Sequence, residues 1–198
     1  MINDVSALRQ VPGETMTRLH HRLAEQADRQ GLLDIAYRTV DSPVGELLLA
    51  ATNQGLVRVA FADEGFDTVL QSLATRISPR ILRAPRRLDD AARQLDDYFG
   101  GRRRRFAIPL DLRLSNGFRR LVLEQLRQIS YGTTQSYAGV AAATGHAKAV
   151  RAVGSACATN PLPVVVPCHR VLRSDGTLGG YLGGLATKRA LLDLEAAA

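Results

Sequence analysis

The stretch VVVPCHRV, residues 164–171, sets a thiol, an imidazole and a guanidinium (Cys168, His169, Arg170) directly behind an apolar run and a proline. A cysteine attacks as its thiolate, and an ordinary thiol is mostly protonated at neutral pH, so a reactive one needs a base or a positive charge beside it. His169 is the nearest base. Read as a strand, the run would point Cys168 and His169 to opposite faces. The pair therefore has to sit in a turn, which Pro167 favours, or be bridged by water. The second cysteine, Cys157, lies among small residues and reads as an inert buried thiol. A metal site does not fit this pattern: Cys168 has no CxxC partner, and His20, His21 and His146 are scattered along the chain.

The elements that must position this group are legible from periodicity. TMTRLHHRLAEQADRQ (15–30) spaces Leu19, Leu23 and Ala27 as one face of a helix that Gly31 stops. LLDIAYRTV, ELLLAAT and LVRVAF, separated by Asp41-Ser42-Pro43 and Asn53-Gln54-Gly55, predict three strands in an antiparallel meander. FDTVLQSLATRI and RRLDDAARQLDDYFGG predict two helices, so this part is α+β. Four arginines, 102–105, follow; charge runs are usually solvated, and the segment reads as a linker between domains.

Beyond the linker, Phe118, Leu121, Val122, Leu126 and Ile129 form the apolar stripe of a further helix. SYAGVAAATG (136–145) and AKAVRAVGSACATN (147–160) then outline a helix-turn-helix. The second of these helices is almost bare of side chains. That suits tight packing against its own core, the preferred reading of these residues alone, or close approach to a DNA groove with Arg151 as its one long arm.

Composition narrows the class. Of 198 residues, 45% are hydrophobic, enough for one large domain or two small ones. No apolar run approaches a bilayer span and the N-terminus lacks a signal-peptide pattern, so no membrane is expected and the cytoplasm is the default compartment. Two cysteines do not make a disulfide scaffold. The net charge of +7 points to an anionic partner, most economically nucleic acid. The excess is uneven: 16 basic residues stand against 14 acidic up to Leu110, and 10 against 5 beyond it.

The C-terminal stretch YGTTQSYAGVAAATGHAKAVRAVGSACATNPLPVVVPCHRVLRSDGTLGGYLGGLATKRALLDLE closely resembles the methylated-DNA:protein-cysteine methyltransferases, the O6-alkylguanine-DNA alkyltransferases. PCHRV, the preceding Asn-Pro, the RAVG helix and the GGYLGGL loop fall in that family's order, and SPVGELLLAAT with GLVRVAF resembles its N-terminal domain more loosely. The resemblance implies a ribonuclease H-like N-terminal domain with a small antiparallel sheet and helices, and a mainly helical C-terminal domain with the helix-turn-helix. The expected division is a helical extension at 1–30, an α/β domain at 31–112 and a DNA-binding, alkyl-acceptor domain at 113–198.

It also implies a chemistry. Cys168 would take the alkyl group from O6-alkylguanine irreversibly, once per molecule, with His169 as base through a water, Glu195 orienting the histidine and Asn160 bracing the turn. The lesion lies inside a duplex and has to be flipped out. Arg151 would fill the vacated stack and Tyr137 would press on the adjacent phosphate and donate to the guanine. Ala152 and Ser155 would lie along the minor groove. Tyr137, Val171, Tyr181, Leu182 and Gly183 would form the base pocket. The partner is double-stranded DNA carrying O6-alkylguanine, met by a monomer, with cooperative clustering on the duplex left open. No cofactor and no metal are expected; zinc ligands known in some members have no counterpart, since no cysteine precedes residue 157.

The sequence departs from the family's habit at Leu123, where many relatives carry tryptophan, at Ser130, where proline is common, and at Leu182, where some have serine. The first two affect packing, and the third leaves a backbone amide in place. Three rivals are weighed against this reading. A non-catalytic lesion binder would lack Cys168, and a transcription regulator would need a recognition helix with more to read. A cysteine hydrolase would need an oxyanion site.

Overall fold

The computed structural model describes residues 13–197. Helix α1 (Gly13–Arg29) precedes strands β1 (Ile35–Val40), β2 (Leu47–Thr52) and β3 (Gly55–Phe61), helix α2 (Phe66–Arg76), strand β4 (Ile81–Arg83) and helix α3 (Asp89–Phe99). The second half holds α4 (Gly117–Leu126), β5 (Gln135–Ser136), α5 (Tyr137–Ala143), α6 (Val150–Ala158), β6 (Val171–Leu172) and α7 (Gly184–Ala196).

The main sheet runs β3-β2-β1-β4. Its first three strands form the expected antiparallel meander, and β4 adds a parallel pairing, Ile35 with Ile81, so the sheet is mixed rather than purely antiparallel. β4 has only three residues, too few to show a strand period in the sequence. All of β2 is buried because both of its faces are covered. Leu48 and Ala50 meet Val69 and Leu73 of α2, whereas Leu47, Leu49 and Ala51 join a core shared with Leu95 and Tyr98 of α3 and with the C-terminal half.

Edge strand β3 carries the join between the halves. The Val59 amide donates to the Pro161 carbonyl at 2.9 Å, and Arg58 Nη1 donates to the same carbonyl at 3.2 Å while the guanidinium is paired with Glu64. An edge that would otherwise expose unpaired backbone groups is closed by the turn leading to the cysteine.

Two expectations are corrected. The run 162–166 is not a strand: it folds as successive turns with Val164 at φ +70°. Prolines at 161, 163 and 167 remove the ladder donors a strand needs. Asn160 supplies substitutes, accepting from the Leu162 amide at 2.9 Å and donating to the Val166 carbonyl at 2.9 Å. The linker reading of 102–105 holds only in part, because Arg102 and Arg103 pair with Asp96 and Asp97 of α3. Helix α1 forms as expected but packs through Ala24 and Ala27, so Leu19 and Leu23 of its apolar stripe are exposed together with Met16.

Candidate active site

Cys168 opens a single 3-10 turn, Cys168–Arg170, immediately after Pro167. In such a turn successive side chains are about 120° apart, so Cys168 and His169 are not sent to opposite faces as in a strand. The thiol is 2% exposed. Asn160 Nδ2 donates to Cys168 Sγ at 3.1 Å, so the amide that props the turn also touches the sulfur. Burial pushes the thiol up to about 11, against the opposing pull of the Asn160 hydrogen bond and the Lys188 ammonium. At rest Cys168 is a thiol, and a base must act on it.

His169 is wholly buried. Its Nε2 lies 2.9 Å from Glu195 Oε1, and its Nδ1 is buried with no protein partner. Beside an ionised carboxylate Nε2 carries the proton, which leaves the Nδ1 lone pair as the basic site. Burial lowers the imidazole below its ordinary range in spite of Glu195, so the ring is neutral at pH 7.

Glu195, in the last turn of α7, is the most heavily bonded side chain of the group. Oε1 accepts from His169, from Arg170 Nη2 at 2.8 Å and from the Tyr98 hydroxyl at 2.7 Å; Oε2 accepts from Arg170 Nε at 2.8 Å and the Gly132 amide at 3.2 Å. Burial alone would raise its carboxyl, but the hydrogen bonds from His169 and Arg170 prevail and bring it down to about 2. A fixed negative charge therefore stands behind the imidazole at every working pH.

The pocket wall is built by β5–β6 pairing, which joins the start of α5 to the segment after the cysteine: Gln135 pairs with Val171 and Ser136 with Leu172. Ser136 caps α5, its hydroxyl accepting from the Gly139 amide at 3.0 Å. This places Tyr137 at the first helical position, half-buried, its hydroxyl raised by burial and by the nearby thiols. Tyr181 packs edge-on against Phe61 at 5.8 Å and His169 at 6.3 Å between ring centroids. Two glycines permit this closeness. A Cβ on Gly179 would lie 2.4 Å from the Tyr137 hydroxyl, and one on Gly183 would lie 2.9 Å from the Phe61 ring.

Helices α5 and α6 pack on each other and on α4. α6 buries Val153, Ala156 and Cys157 and turns Arg151, Ala152 and Ser155 outward. One face of the slim helix thus packs on the core, and the other presents small side chains and Arg151 to solvent. Of the expected site residues, Cys168 with Asn160 and His169 with Glu195 form two hydrogen-bonded pairs that meet at the turn. Val171 and Tyr181 border it, Tyr137 lies beside the thiol, and Leu182 and Gly183 lie in the adjoining loop.

Three participants escape the sequence reading. Lys188 is completely buried, donates to the Val171 carbonyl at 2.6 Å and lies 6.0 Å from the Tyr137 ring centre. Its signal is its place at helical spacing with Leu191 and Glu195, since a lysine on an apolar stripe needs a partner. Arg170 stands within the quoted motif, but its grip on Glu195 is visible only in three dimensions. Tyr98, 97 residues from Glu195, reads from sequence as ordinary core.

Comparison with known proteins agrees with this geometry. Residues 35–112 match the 6-O-methylguanine DNA methyltransferase ribonuclease-like domain, and residues 117–197 the DNA-binding domain of the same family. A methylated-DNA–protein-cysteine methyltransferase of Mycolicibacterium paratuberculosis is 42% identical over 161 residues, covering 81% of this chain and 92% of that protein. The constitutive one of Bacillus subtilis is 37% identical, covering 80% and 94%. The crystal structure of Mycobacterium tuberculosis O6-methylguanine methyltransferase superposes with a TM-score of 0.73 at 37% identity, covering 82% of this chain and 93% of that one. A structure of the M. tuberculosis protein in complex with DNA gives 0.72 at 38% identity over the same shares. The chain belongs to the 6-O-methylguanine DNA methyltransferase family.

Proposed function

We propose that Cys168 is the acceptor of this chain's alkyl transfer. The activity itself comes with the family: DNA repair in which an alkyl group leaves DNA and stays on a cysteine of the protein. The observation that carries the assignment to Cys168 is the hydrogen bond from Asn160 to its sulfur, together with a neutral His169 next to it in the turn, backed by an ionised Glu195 of α7.

The substrate in this reading is O6-alkylguanine flipped from a duplex. Nδ1 of His169 takes the thiol proton through a water, and the imidazolium so formed is stabilised by Glu195. The thiolate attacks the alkyl carbon in line with the C–O6 bond; a C–S bond forms, the C–O6 bond breaks, and the electron pair leaves with the guanine. The Tyr137 hydroxyl donates a proton to the departing base and is reprotonated through water by the proton held on His169, so that the thiol proton ends on guanine and both groups return to their resting states. A thioether is not reversed under these conditions, so each molecule acts once.

Arg151, Ala152 and Ser155 are assigned to the minor groove, Arg151 replacing the flipped base in the stack. Small outward side chains on α6 support a close approach. Tyr137, Val171, Tyr181, Leu182 and Gly183 are assigned to the base pocket. A monomer in the cytoplasm, divided into the extension 1–30 and domains 31–112 and 113–198, belongs to the same reading. Among the described residues no helix is long and apolar enough to cross a membrane.

Incubation with an O6-methylguanine duplex followed by intact mass and peptide mapping tests the assignment. One added methyl on the Cys168 peptide is expected, with none in Cys168→Ser, which should still bind DNA. A methyl found on the Cys157 peptide, or transfer by Cys168→Ser, would overturn it.

A further inference from the structure

Glu195 accepts more hydrogen bonds than its lone pairs can serve singly: three donors meet at Oε1 and two at Oε2, against about four sites on a carboxylate. Every hydrogen bond to an ionised carboxylate lowers its basicity, so donors that meet on one oxygen weaken one another. Two of the three on Oε1 belong to the cysteine turn, His169 Nε2 at 2.9 Å and Arg170 Nη2 at 2.8 Å. The third, the Tyr98 hydroxyl at 2.7 Å, comes from α3, inside the ribonuclease-like domain.

The phenol is locked on that acceptor. Its side chain is fully buried, and its ring is held by those of Phe99, Phe106 and Tyr131 at 5.3, 5.2 and 6.0 Å between centroids. Burial and the Glu195 carboxylate keep the phenol proton in place far above the ordinary tyrosine range. The bond is therefore present at every working pH, on the oxygen that also serves the imidazole. The other groups around the pair act differently. Arg170 and Lys188 disfavour the imidazolium by their charge. The Tyr131 hydroxyl reaches the Leu194 carbonyl at 3.4 Å, Tyr181 meets His169 through its ring, and the Cys168 thiol is bonded by Asn160.

We propose that Tyr98 is a positioning residue of the proton relay: by occupying Oε1 it limits the negative charge that Glu195 offers His169, so that the imidazole rests neutral with its proton on Nε2. This rests on the reading of His169 as the base for Cys168. A carboxylate that served the imidazole more fully would favour imidazolium at rest, and an imidazolium takes no proton from a thiol. The ribonuclease-like domain thus contributes to the chemistry of the other half.

The full chain with 15N-labelled histidine is titrated by NMR at rest, the His169 signals being assigned by their loss in His169→Gln. Methyl transfer from prebound O6-methylguanine duplex is timed over the same pH range. Wild type is compared with Tyr98→Phe, which keeps the ring and removes the hydroxyl, and with Tyr131→Phe, which removes a neighbouring hydroxyl bonded elsewhere. A further protein carries 3-fluorotyrosine at Tyr98, a stronger donor of nearly the same size, and tests the proposal even where Tyr98→Phe does not fold. In Tyr98→Phe, His169 is expected to take up its proton about one pH unit higher, with the acid limb of transfer moved equally. The fluorinated protein should move both downward, and Tyr131→Phe neither. An unmoved His169 in the two Tyr98 proteins, or an equal shift in Tyr131→Phe, would overturn the proposal. A His169 shift in the expected sense that transfer does not follow supports the Tyr98 contact and instead removes His169 from the role of base.

Discussion

Glu195 and His169 have each been moved in the direction their roles require. Glu195 stands at about 2 in the folded protein against 4.5 as an ordinary carboxyl. A carboxyl depressed on folding stabilises the fold above its unfolded value, and that stabilisation is lost as pH falls from about 4.5 toward 2. Glu195→Gln should abolish this acid-side dependence and leave Arg170 buried without its counter-charge. A loss of about 3–5 kcal/mol is expected, seen as a fall in Tm on the order of 10 °C; an unchanged Tm would show that Arg170 finds another partner. Burial holds the His169 imidazole below its ordinary range, so its base form persists to lower pH than that of a free imidazole. The acid-side decline of transfer from prebound DNA should therefore fall at lower pH than a free histidine would give, as rapid-quench kinetics can check. Cys168 and His169 are legible in the sequence because the two chemical groups are neighbours in the chain. Tyr98 is not, because nothing in a tyrosine in a core announces a partner until the fold supplies it, and Lys188 offers only its place on an apolar helical stripe, which calls for a partner without naming one.

Among the elements, the loop Tyr181–Gly183 depends on a space that one atom would fill. Gly183 has φ −84°, which any residue adopts, so its need is steric alone. Gly183→Ala should collide with the buried Phe61 ring, displace Tyr181 and slow transfer at least tenfold, with little change in binding to undamaged DNA. Phe61→Leu in the same chain should restore most of the rate, and failure of that rescue would place the loop's requirement elsewhere. The glycine-rich loop is visible in the sequence, but its opposing ring lies 122 positions earlier and is not. The apolar run misleads for a related reason. Its β-branched residues have strand propensity, yet three prolines and the Asn160 side chain decide the backbone, and Val164 is held at positive φ inside a packed wall. Helices α2 to α6 follow their periodicity closely because each has one face to bury.

At the scale of the molecule, the charge imbalance and the two-part organisation are both present in the sequence, whereas the seam between the halves is not. Arg151 projects from the more basic half into solvent. Arg151→Ala should reduce repair of duplex DNA far more than reaction with free O6-benzylguanine, measured as two second-order rate constants. Equal losses on both substrates would remove it from the flipping step. The seam rests on contacts between residues far apart in the chain: Arg58 reaches Pro161 across 103 positions and Tyr98 reaches Glu195 across 97. Such pairings form late in folding because long loops must close first. Until they do, Cys168 is an exposed, ordinary thiol, more open to stray oxidants and electrophiles than in the finished protein. The closing of α7 onto α3 thus marks the moment at which the chain stops being chemically indiscriminate, and how fast it closes decides how many molecules reach DNA with their one reactive atom unused.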